Sequence, residues 1–503
     1  MLLRRMFGIL LVALEIVTIV LAIINKNDFF NHADTLLIIL SLIIAIYIAV
    51  RPENNEYKVV WILLVLASPV FGGIFYLLSN LQIEWGGFKK RICKIEKDTK
   101  NEFFLSGSAI SEAEEKATQV FPQIAYLEKH AGFPVYQNTG SEYLSIGEDF
   151  QATLLNELEK AEKYIFIEFF IIAEGKMWSD ILEVLKRKAK EGVLVRVLYD
   201  DIGSFIRLPA NYPKDLALYG IECCKFNSFK PLLTTVQNNR DHRKICSIDG
   251  KVAFTGGINI ADEYTNEIER HGHWKDCGVV LRGRAAWSFT VMFLQMWEFV
   301  SKRKEDYKNY LPSEDFYSNI RSDGFVQPYA DNPLDKENVG KNVYMNIISN
   351  AKKYLYICTP YLIVDDAVIE ALKRAAKGGV DVRIITPHIW DKWPVHMTTR
   401  SYYRELISAG VKVYEYTDGF IHSKTFVSDD IIATVGTTNL DYRSLYLNFE
   451  CGVLLQKTKS VLSARDDFLS TLEVCKQITP DDCKGGVVTK AIQNVLRLFA
   501  PLM

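Results

Sequence analysis

The feature that most constrains this chain is an internal repeat in the sequence that follows residue 130. Three segments recur in the same order: residues 161–168 return as 351–358, 185–197 as 372–384 and 219–223 as 409–413. Self-similarity of this kind is the signature of one structural unit used more than once. Three matched segments are not expected from two unrelated α/β sequences, so the chain is predicted to contain two copies of one fold.

Each copy is predicted to run strand, helix, strand, helix, strand. Apolar residues recur at helical spacing in 181–189 and again in 368–376. Gly192 and Gly379 follow these stretches and are predicted to end the helices in a left-handed conformation. The strands that come next are β-branched and continuously apolar, as in strands covered on both faces. The predicted fold class is therefore α/β, with two repeats of mixed sheets flanked by helices and related by a pseudo-twofold axis.

Matched His-x-Lys-x4-Asp motifs stand at equivalent places in the two copies. The first comprises His242, Lys244 and Asp249, and the second His422, Lys424 and Asp429. A Gly-x-x-Asn turn follows each motif and ends at Asn259 and Asn439, respectively. One His-x-Lys pair is a weak signal, because a single histidine beside a strand is usually structural. Two complete motifs in matched repeats indicate a site.

The chemistry of these motifs suits a phosphodiester. Residues i and i+2 of a strand point to the same face, so each histidine is expected to project with its lysine. Two imidazoles and two ammonium groups would then meet, one histidine attacking phosphorus and the other moving the proton of the alcohol. The lysines and the two asparagines would stabilise charge on the non-bridging oxygens. The two aspartates are predicted to fix the local backbone. No metal or other cofactor is implied, and the residues leave open which histidine is the nucleophile.

The first 80 residues carry three apolar runs, 7–24, 35–50 and 59–78. A spanning helix needs about 20 apolar residues, which the third run meets and the first approaches. The basic cluster after the third run is expected to stay cytoplasmic. If all three runs crossed the membrane, the basic clusters could not all lie on the cytoplasmic side. Two or three transmembrane helices are therefore predicted, and the first run is alternatively re-entrant or interfacial. The localisation expected is the cell membrane, multi-pass, with a cytoplasmic catalytic domain.

Charge and cysteine content exclude other classes. The net charge is -2, so no basic field points to nucleic acid as a partner. The nine cysteines form no C-x-x-C pair, which fits neither a zinc site nor a secreted disulfide framework, and indicates a reducing compartment. His271 and His273 are interpreted as part of a solvated loop, because no third metal ligand is evident.

The motifs resemble the phospholipase D superfamily, and most closely its bacterial cardiolipin synthases, over nearly the whole chain. Shared phrases include 249–260, 262–264, 359–362 and 436–444. The resemblance implies two phospholipase D-like repeats and a reaction that joins two phosphatidylglycerol molecules into cardiolipin and releases glycerol. It also implies that Asp276 and Glu450 orient the histidines. One departure is Cys277-Gly278, where the family usually has Thr-His. A histidine there is expected to contact a headgroup, so the departure bears on headgroup choice.

The domain boundaries expected follow the composition of the chain. They are transmembrane helices in 1–80, a juxtamembrane linker in 81–130, the first repeat in 131–305, a proline-containing linker in 306–340, the second repeat in 341–480 and an amphipathic segment in 481–503. The last segment is expected either to lie in the membrane interface or to dock on the catalytic domain. A phospholipase D-type hydrolase, or a transferase acting on another headgroup, is the alternative function. A nuclease and a non-catalytic scaffold are disfavoured, and the oligomeric state is left open.

Overall fold

The computed structural model describes residues 28–51, 55–68, 72–73, 76, 85–228, 235–318, 320 and 323–502. The chain divides into two compact units. The smaller unit comprises 1–90, 229–239 and 497–503, and the larger comprises 91–228 and 240–496. Both repeats lie in the larger unit, apart from residues 229–239 of the first.

In the smaller unit, helices α1 (Asp28–Ala49) and α2 (Asn55–Ala67) pack together. Ile44 and Ile48 of α1 meet Trp61 and Val65 of α2 in a small core. The indole of Trp61 lies edge-on to Tyr76, with ring centroids 5.3 Å apart. The first apolar run of the sequence lies outside the described residues. Among the helices that are described, none is both long and apolar enough to cross a membrane.

The first repeat forms a seven-stranded mixed sheet in the order β1-β8-β6-β5-β2-β3-β4. Strands β2, β3 and β4 are parallel and the remaining pairs are antiparallel. The elements of this part of the chain are α3 (Trp85–Asp98), α4 (Ile110–Lys116), α5 (Phe121–Ala125), β1 (Thr139–Leu144), α6 (Gly147–Glu159), β2 (Tyr164–Phe169), α7 (Lys176–Lys190), β3 (Leu194–Asp200), α8 (Tyr212–Ala217), β4 (Glu222–Phe226), β5 (Lys244–Ile248), β6 (Val252–Gly256), β7 (His273–Lys275), β8 (Gly278–Gly283) and α9 (Ala286–Ser301).

The second repeat rebuilds the same sheet with one extra strand, in the order β9-β18-β16-β15-β10-β12-β13-β19. The elements are α10 (Glu314–Ser318), β9 (Phe325–Asp331), α11 (Val339–Asn350), β10 (Tyr354–Cys358), β11 (Leu362–Ile363), α12 (Asp366–Lys377), β12 (Asp381–Pro387), α13 (Trp393–Ser408), β13 (Lys412–Tyr416), β14 (Gly419–Ile421), β15 (Thr425–Ser428), β16 (Ile432–Gly436), β17 (Leu440–Asp441), α14 (Tyr442–Tyr446), β18 (Glu450–Gln456), α15 (Lys459–Leu472), β19 (Cys475–Gln477) and α16 (Val487–Leu498). The α/β prediction with two mixed sheets is confirmed.

The predicted helix ends are also confirmed. Gly192 and Gly379 follow α7 and α12 with φ of +94° and +95°. The next residue in each copy, Val193 or Val380, donates its N–H back to the carbonyl of Lys188 or Ala375. This bond pattern is a Schellman cap, in which a left-handed glycine lets the chain satisfy carbonyls at the end of a helix.

Two boundary predictions are wrong in part. Residues 325–331, which the prolines placed in a linker, form strand β9 and pair with β18 at the edge of the second sheet. Pro328 is compatible with this strand because an edge strand needs hydrogen bonds on one side only. Residues 81–130, expected to be a linker, contain α3, α4 and α5 together with the 3-10 helix Lys100–Ser106 and most of the π-helix Tyr126–Ala131.

Short parallel contacts join the two repeats. Strand β7 of the first repeat pairs with β14 of the second, and Asp241 forms a parallel bridge with Phe449. Strand β6 also contacts β16 and β18. Together these contacts bring the ends of the two motif-bearing strands into one region.

Candidate active site

His242 stands two residues before β5 and is held by the second repeat. Its backbone N–H donates to the Phe449 carbonyl at 3.0 Å. Its Nδ1 lies 2.9 Å from both carboxylate oxygens of Glu450, the first residue of β18. The Thr437 hydroxyl donates to the same carboxylate. A carboxylate bound to Nδ1 fixes the tautomer of an imidazole and leaves Nε2 for chemistry.

His422 follows β14 and is held by the first repeat in the same way. Its backbone N–H donates to the Lys275 carbonyl at 2.7 Å, and its Nδ1 lies 2.6 Å from Oδ2 of Asp276. Each histidine therefore takes its carboxylate from the other repeat. The resemblance implied both carboxylates, and the structure adds that the pairing is crosswise.

Glycines at the ends of β6 and β16 allow this crossing. A Cβ on Gly256 would lie 2.4 Å from the carbonyl oxygen of Cys277, and one on Gly436 would lie 2.6 Å from that of Cys451. Cys277 and Cys451 directly follow Asp276 and Glu450. Only a residue without a side chain permits so close an approach, so the glycine of each Gly-x-x-Asn turn positions the carboxylate of its own repeat.

The two lysines lie beside their histidines and are buried. The Lys244 ammonium donates to the His242 carbonyl at 2.7 Å. The Lys424 ammonium donates to the His422 carbonyl and lies 2.8 Å from His422 Nδ1. Burial lowers the pKa of Lys244 to about 7 and that of Lys424 to about 8. Burial disfavours the charged form of each lysine, so an anion that entered the cavity would favour it again.

The imidazoles are also shifted toward the neutral form. Burial lowers the pKa of His242, although Glu450 opposes the shift. Burial and the neighbouring cations Lys424 and Lys244 lower the pKa of His422 well below its usual range. At neutral pH both rings are thus poised to accept a proton or to act as nucleophiles.

The two carboxylates differ in charge state. Burial raises the pKa of Asp276 to about 7, even though Lys424 favours the ionised form. Glu450 is equally buried, yet interactions with His242 and Lys244 lower its pKa. Glu450 is therefore ionised at neutral pH, whereas a pKa of about 7 leaves Asp276 partly protonated.

The two asparagines line the same cavity but are turned toward neighbours. The Asn259 amide donates to the Tyr264 hydroxyl at 2.7 Å and accepts from the N–H of Ile171. The Asn439 amide donates to Asp441 at 3.1 Å. Their role as phosphate donors stays a prediction, and it requires rotation of the side chains into the cavity that they line.

Asp249 and Asp429 point away from the cavity into equivalent turns. The Asp249 carboxylate accepts the N–H groups of Glu162, Lys163 and Tyr164 at 2.7–2.8 Å, where β2 begins. Asp429 accepts three N–H groups at the start of β10 in the same pattern. Their backbones have φ of +53° and +58°. This geometry accords with the expectation that they fix the backbone.

The cavity that contains the histidines has a volume of about 360 Å³. Aromatic rings pack on both histidines: Phe170 lies 5.0 Å from His242, and Tyr264 lies 5.5 Å from His422. Several other cavity residues have no role predicted from the sequence, because none belongs to the His-x-Lys-x4-Asp motifs or to the Gly-x-x-Asn turns that follow them. These are Phe170, Arg207, Glu263, Tyr264, Arg270, His271, Trp274, Tyr361, Asp391, Lys392, Asp441, Arg443 and Asn448.

The expectation drawn from Cys277-Gly278 is wrong in its geometry. A Cβ on Gly278 would point at Phe150, 2.5 Å from its Cδ2, and neither Cys277 nor Gly278 lines the cavity. A side chain at 278 would enter the core, so this departure does not alter the headgroup pocket directly. His271 lines the cavity, and His273 Nδ1 lies 2.9 Å from the Tyr416 hydroxyl. Across the described residues, no group of three or more His, Cys, Asp or Glu residues could hold a metal ion.

Comparison with protein families matches the repeats and the N-terminal region separately. The model described as cardiolipin synthase, phospholipase D-like domain, matches residues 154–297 and 344–472. A second model, described as phospholipase D-nuclease N-terminal, matches residues 36–79. The first match covers both motifs and both carboxylates that contact the histidines.

Similar proteins extend over most of the chain. An uncharacterized protein of Streptococcus mutans is 43% identical over 446 residues, which are 88% of this chain and 96% of that protein. A cardiolipin synthase of Halalkalibacterium halodurans is 35% identical over 476 residues, 93% of each chain. Among solved structures, a phosphatidylserine synthase of Haemophilus influenzae matches with a TM-score of 0.56 and 17% identity, covering 74% of this chain and 94% of its own. That last likeness supports the fold of the two repeats.

Proposed function

Because this chain belongs to the family of cardiolipin synthases with phospholipase D-like domains, we propose that it transfers a phosphatidyl group from one phosphatidylglycerol to another. The products are cardiolipin and glycerol. One observation carries the proposal: a single cavity holds two histidines, each paired with a carboxylate from the opposite repeat and each beside a buried lysine.

The reaction proceeds in two displacements at phosphorus. The imidazole of one histidine attacks the phosphodiester, an N–P bond forms and the bond to the glycerol oxygen breaks. The bound phosphodiester anion raises the pKa of the second histidine, which becomes protonated in the complex and donates that proton to the departing alkoxide. It then takes the proton from the primary hydroxyl of a second phosphatidylglycerol, whose oxygen attacks phosphorus and breaks the N–P bond. One phosphodiester replaces another, so the reaction needs no nucleotide.

The buried lysines supply the charge for both displacements. The pKa values of about 7 for Lys244 and about 8 for Lys424 belong to a cavity without an anion. A phosphodiester brings a negative charge close to both ammonium groups, and this raises their pKa values. Substrate binding is therefore accompanied by proton uptake near neutral pH. The protonated lysines stabilise the additional charge that develops in the transition state.

The mouth of the cavity suits a lipid rather than a soluble diester. The loop after β3 exposes Ile206 (90%) beside the cavity residue Arg207, and the loop after β12 exposes Trp390 (49%) beside the cavity residue Lys392. These loops occupy equivalent places in the two repeats. An apolar tip next to a cation suits the boundary between acyl chains and phosphates.

The protein is a membrane-associated enzyme with phospholipid substrates, and we assign its N-terminal region a multi-pass arrangement. Helix α1 exposes apolar side chains along its length, among them Leu36, Ile43 and Ile46. Matching of the N-terminal family model to residues 36–79 supports an anchoring role for this region. With the basic cluster at Lys89–Arg91 on the cytoplasmic side, the catalytic repeats are cytoplasmic.

The test is a product analysis with the purified full chain in vesicles of glycerol-labelled phosphatidylglycerol. We expect one labelled glycerol to be released for each cardiolipin formed, and no product from His242→Ala or His422→Ala. The exposed His130→Ala variant serves as the matched control and should retain activity. Phosphatidic acid without cardiolipin would identify a hydrolase and refute the transferase proposal.

A further inference from the structure

Helix α16 near the C-terminus is amphipathic, and its polar side faces the protein. Thr489, Lys490, Gln493 and Asn494 of α16 line a cavity of about 390 Å³ together with residues of α13, including Arg400 and Arg404. This cavity shares no residue with the one that holds the histidines. Surface helices of globular proteins usually do the opposite and turn their apolar stripe toward the core.

The apolar side of α16 faces away from this cavity and is exposed. Val487, Val488 and Val495 are 86%, 72% and 56% exposed. Ala491, Ile492 and Leu498 complete the same half of the helix at helical spacing. No residue of this fully described helix is buried. A helix of 12 residues is marginal in water without tertiary packing, so its apolar half requires a partner.

The charges of α16 indicate which partner this is. The helix carries two cations, Lys490 and Arg497, and no acidic residue. Arg400, Arg404 and Asp482 line the same cavity; Glu415 pairs with Arg400 at 3.3 Å and Lys476 pairs with Asp482 at 2.6 Å, so Arg404 and Lys490 leave the surroundings of the cavity net positive. A cationic polar side opposite a continuous apolar side is the pattern of helices that lie in the interface of an anionic membrane.

A second copy of the chain fits this face less well. A helix of this length is about 18 Å long, so its apolar half offers roughly 200–300 Å². A stable dimer buries about 800 Å² on each partner.

We propose that α16 lies in the interface of an anionic phospholipid monolayer. Its valines and Ile492 enter the region between the lipid headgroups and the acyl chains. Lys490 and Arg404, on the polar side, contact lipid phosphates. The surface is a lipid-docking site separate from the catalytic cavity. It does not depend on the transfer reaction proposed above.

The test places a photo-crosslinking amino acid, p-benzoylphenylalanine, at single positions in the full chain. Val495 represents the apolar side. Gln493, which points to the opposite side of the helix, is the matched control. Each variant is reconstituted in vesicles that contain phosphatidylglycerol and phosphatidylcholine, and lipid adducts are counted by mass spectrometry. We expect at least five times more lipid adduct at 495 than at 493. Equal yields at the two positions, or a crosslink from 495 to a second protein copy, would overturn the proposal.

A second arm tests the charge requirement. With the probe at 495, the adduct yield should be higher in vesicles with phosphatidylglycerol than in pure phosphatidylcholine. Arg404→Gln and Lys490→Gln should each reduce that ratio about fivefold, the factor expected from one basic residue near an anionic surface. An unchanged ratio in both variants would refute the headgroup contact. Crosslinking needs no turnover, so adducts at 495 in a chain that makes no cardiolipin would refute the proposed function and leave the docking surface intact.

Discussion

The two halves of the active site share one skeleton and differ in charge. In both, a histidine contacts a carboxylate of the other repeat, a lysine donates to the histidine carbonyl, and an aspartate ties the motif turn to a neighbouring strand. Glu450 is ionised and receives a hydrogen bond from Thr437, whereas the pKa of Asp276 is raised to about 7. The equivalent of Thr437 is Gly257, where a Cβ would lie 2.1 Å from Asp276.

This difference shows how a repeated fold makes an unequal pair. The reaction requires one imidazole that is neutral when it attacks and one that carries a proton for the leaving group. A strictly symmetric site would give both rings the same proton affinity. One half has Thr437 and Glu450 where the other has Gly257 and Asp276. These two differences make the halves chemically distinct although their backbones are alike.

The largest effect is expected from removing either histidine. His242→Ala and His422→Ala should each lower kcat by ~10³-fold or more, because the covalent and the proton-transfer steps need both rings. Cardiolipin formation in vesicles measures this. A variant that retained more than a tenth of the activity would show that its half of the site is dispensable.

The carboxylates separate the two halves. At pH 6, Glu450→Gln should lower kcat about 100-fold and Asp276→Asn about 10-fold, because a carboxylate that holds the Nδ1 of a functional imidazole contributes ~10–100-fold and an amide resembles the protonated form of Asp276. At pH 8 Asp276 is ionised, so its variant should lose more activity and approach the Glu450 variant. A pH-independent ratio between the two variants would contradict the assigned charge states.

The motif aspartates are expected to affect stability rather than chemistry. Asp249→Asn or Asp429→Asn removes part of a carboxylate that accepts three N–H bonds. Each change should lower the free energy of unfolding by ~2 kcal/mol, as expected for hydrogen bonds to a charged group. Thermal unfolding in detergent measures it, with the exposed Asp481→Asn as control. Unchanged stability together with lost turnover would indicate a direct catalytic role.

The lysines predict an alkaline limit to activity. The pKa of Lys244 is lowered to about 7 and that of Lys424 to about 8, so the free enzyme loses its ammonium charges as pH rises through these values. We expect kcat/KM to fall between pH 7 and pH 9. Lys244→Arg keeps its charge throughout this range. In this variant the alkaline fall of kcat/KM should move to higher pH, even if the maximum of kcat/KM is lower. Identical limbs in the two proteins would exclude Lys244 as the titrating group.

The smallest effect is expected at the cavity mouth. Ile206→Ser with Trp390→Ser removes one exposed apolar tip from each repeat. The rate on phosphatidylglycerol vesicles should fall about threefold more than the rate on a short-chain phosphatidylglycerol dispersed as monomers, since each lost side chain weakens interfacial binding. Equal losses on both substrates would argue against contact of these loops with the membrane.

The repeat and the motifs could be predicted from sequence because they are local patterns. Helical spacing, the Gly192 and Gly379 caps and the i, i+2 placement of His and Lys each depend on a few neighbouring residues. Strand β9 is not predicted from the sequence because Pro328 indicates a loop. Its place at the edge of the sheet, where the outer side carries a bridge from Val326 to Tyr136 but Pro328 itself needs no ladder bond, makes the proline acceptable.

The crosswise pairing of histidines and carboxylates could not be predicted. It depends on the β7–β14 pair and on the bridge between Asp241 and Phe449, which join residues more than 100 positions apart. The lowered lysine pKa values have the same origin, because burial arises only when the two repeats close on each other. Cavity residues such as Tyr264, in the short helix Asp262–Thr265, and Lys392, in the loop after β12, lie in segments whose course no periodic pattern fixes.

The most direct test of one composite site is to trap the covalent intermediate. The full chain is mixed with phosphatidylglycerol, quenched within one turnover under alkaline conditions, and analysed by intact-protein and peptide mass spectrometry. We predict at most one phosphatidyl adduct per chain, on a single histidine, either His242 or His422, and none when that histidine is replaced by alanine. Adducts on both histidines of one chain, or full turnover without either adduct, would contradict a single site built from two repeats.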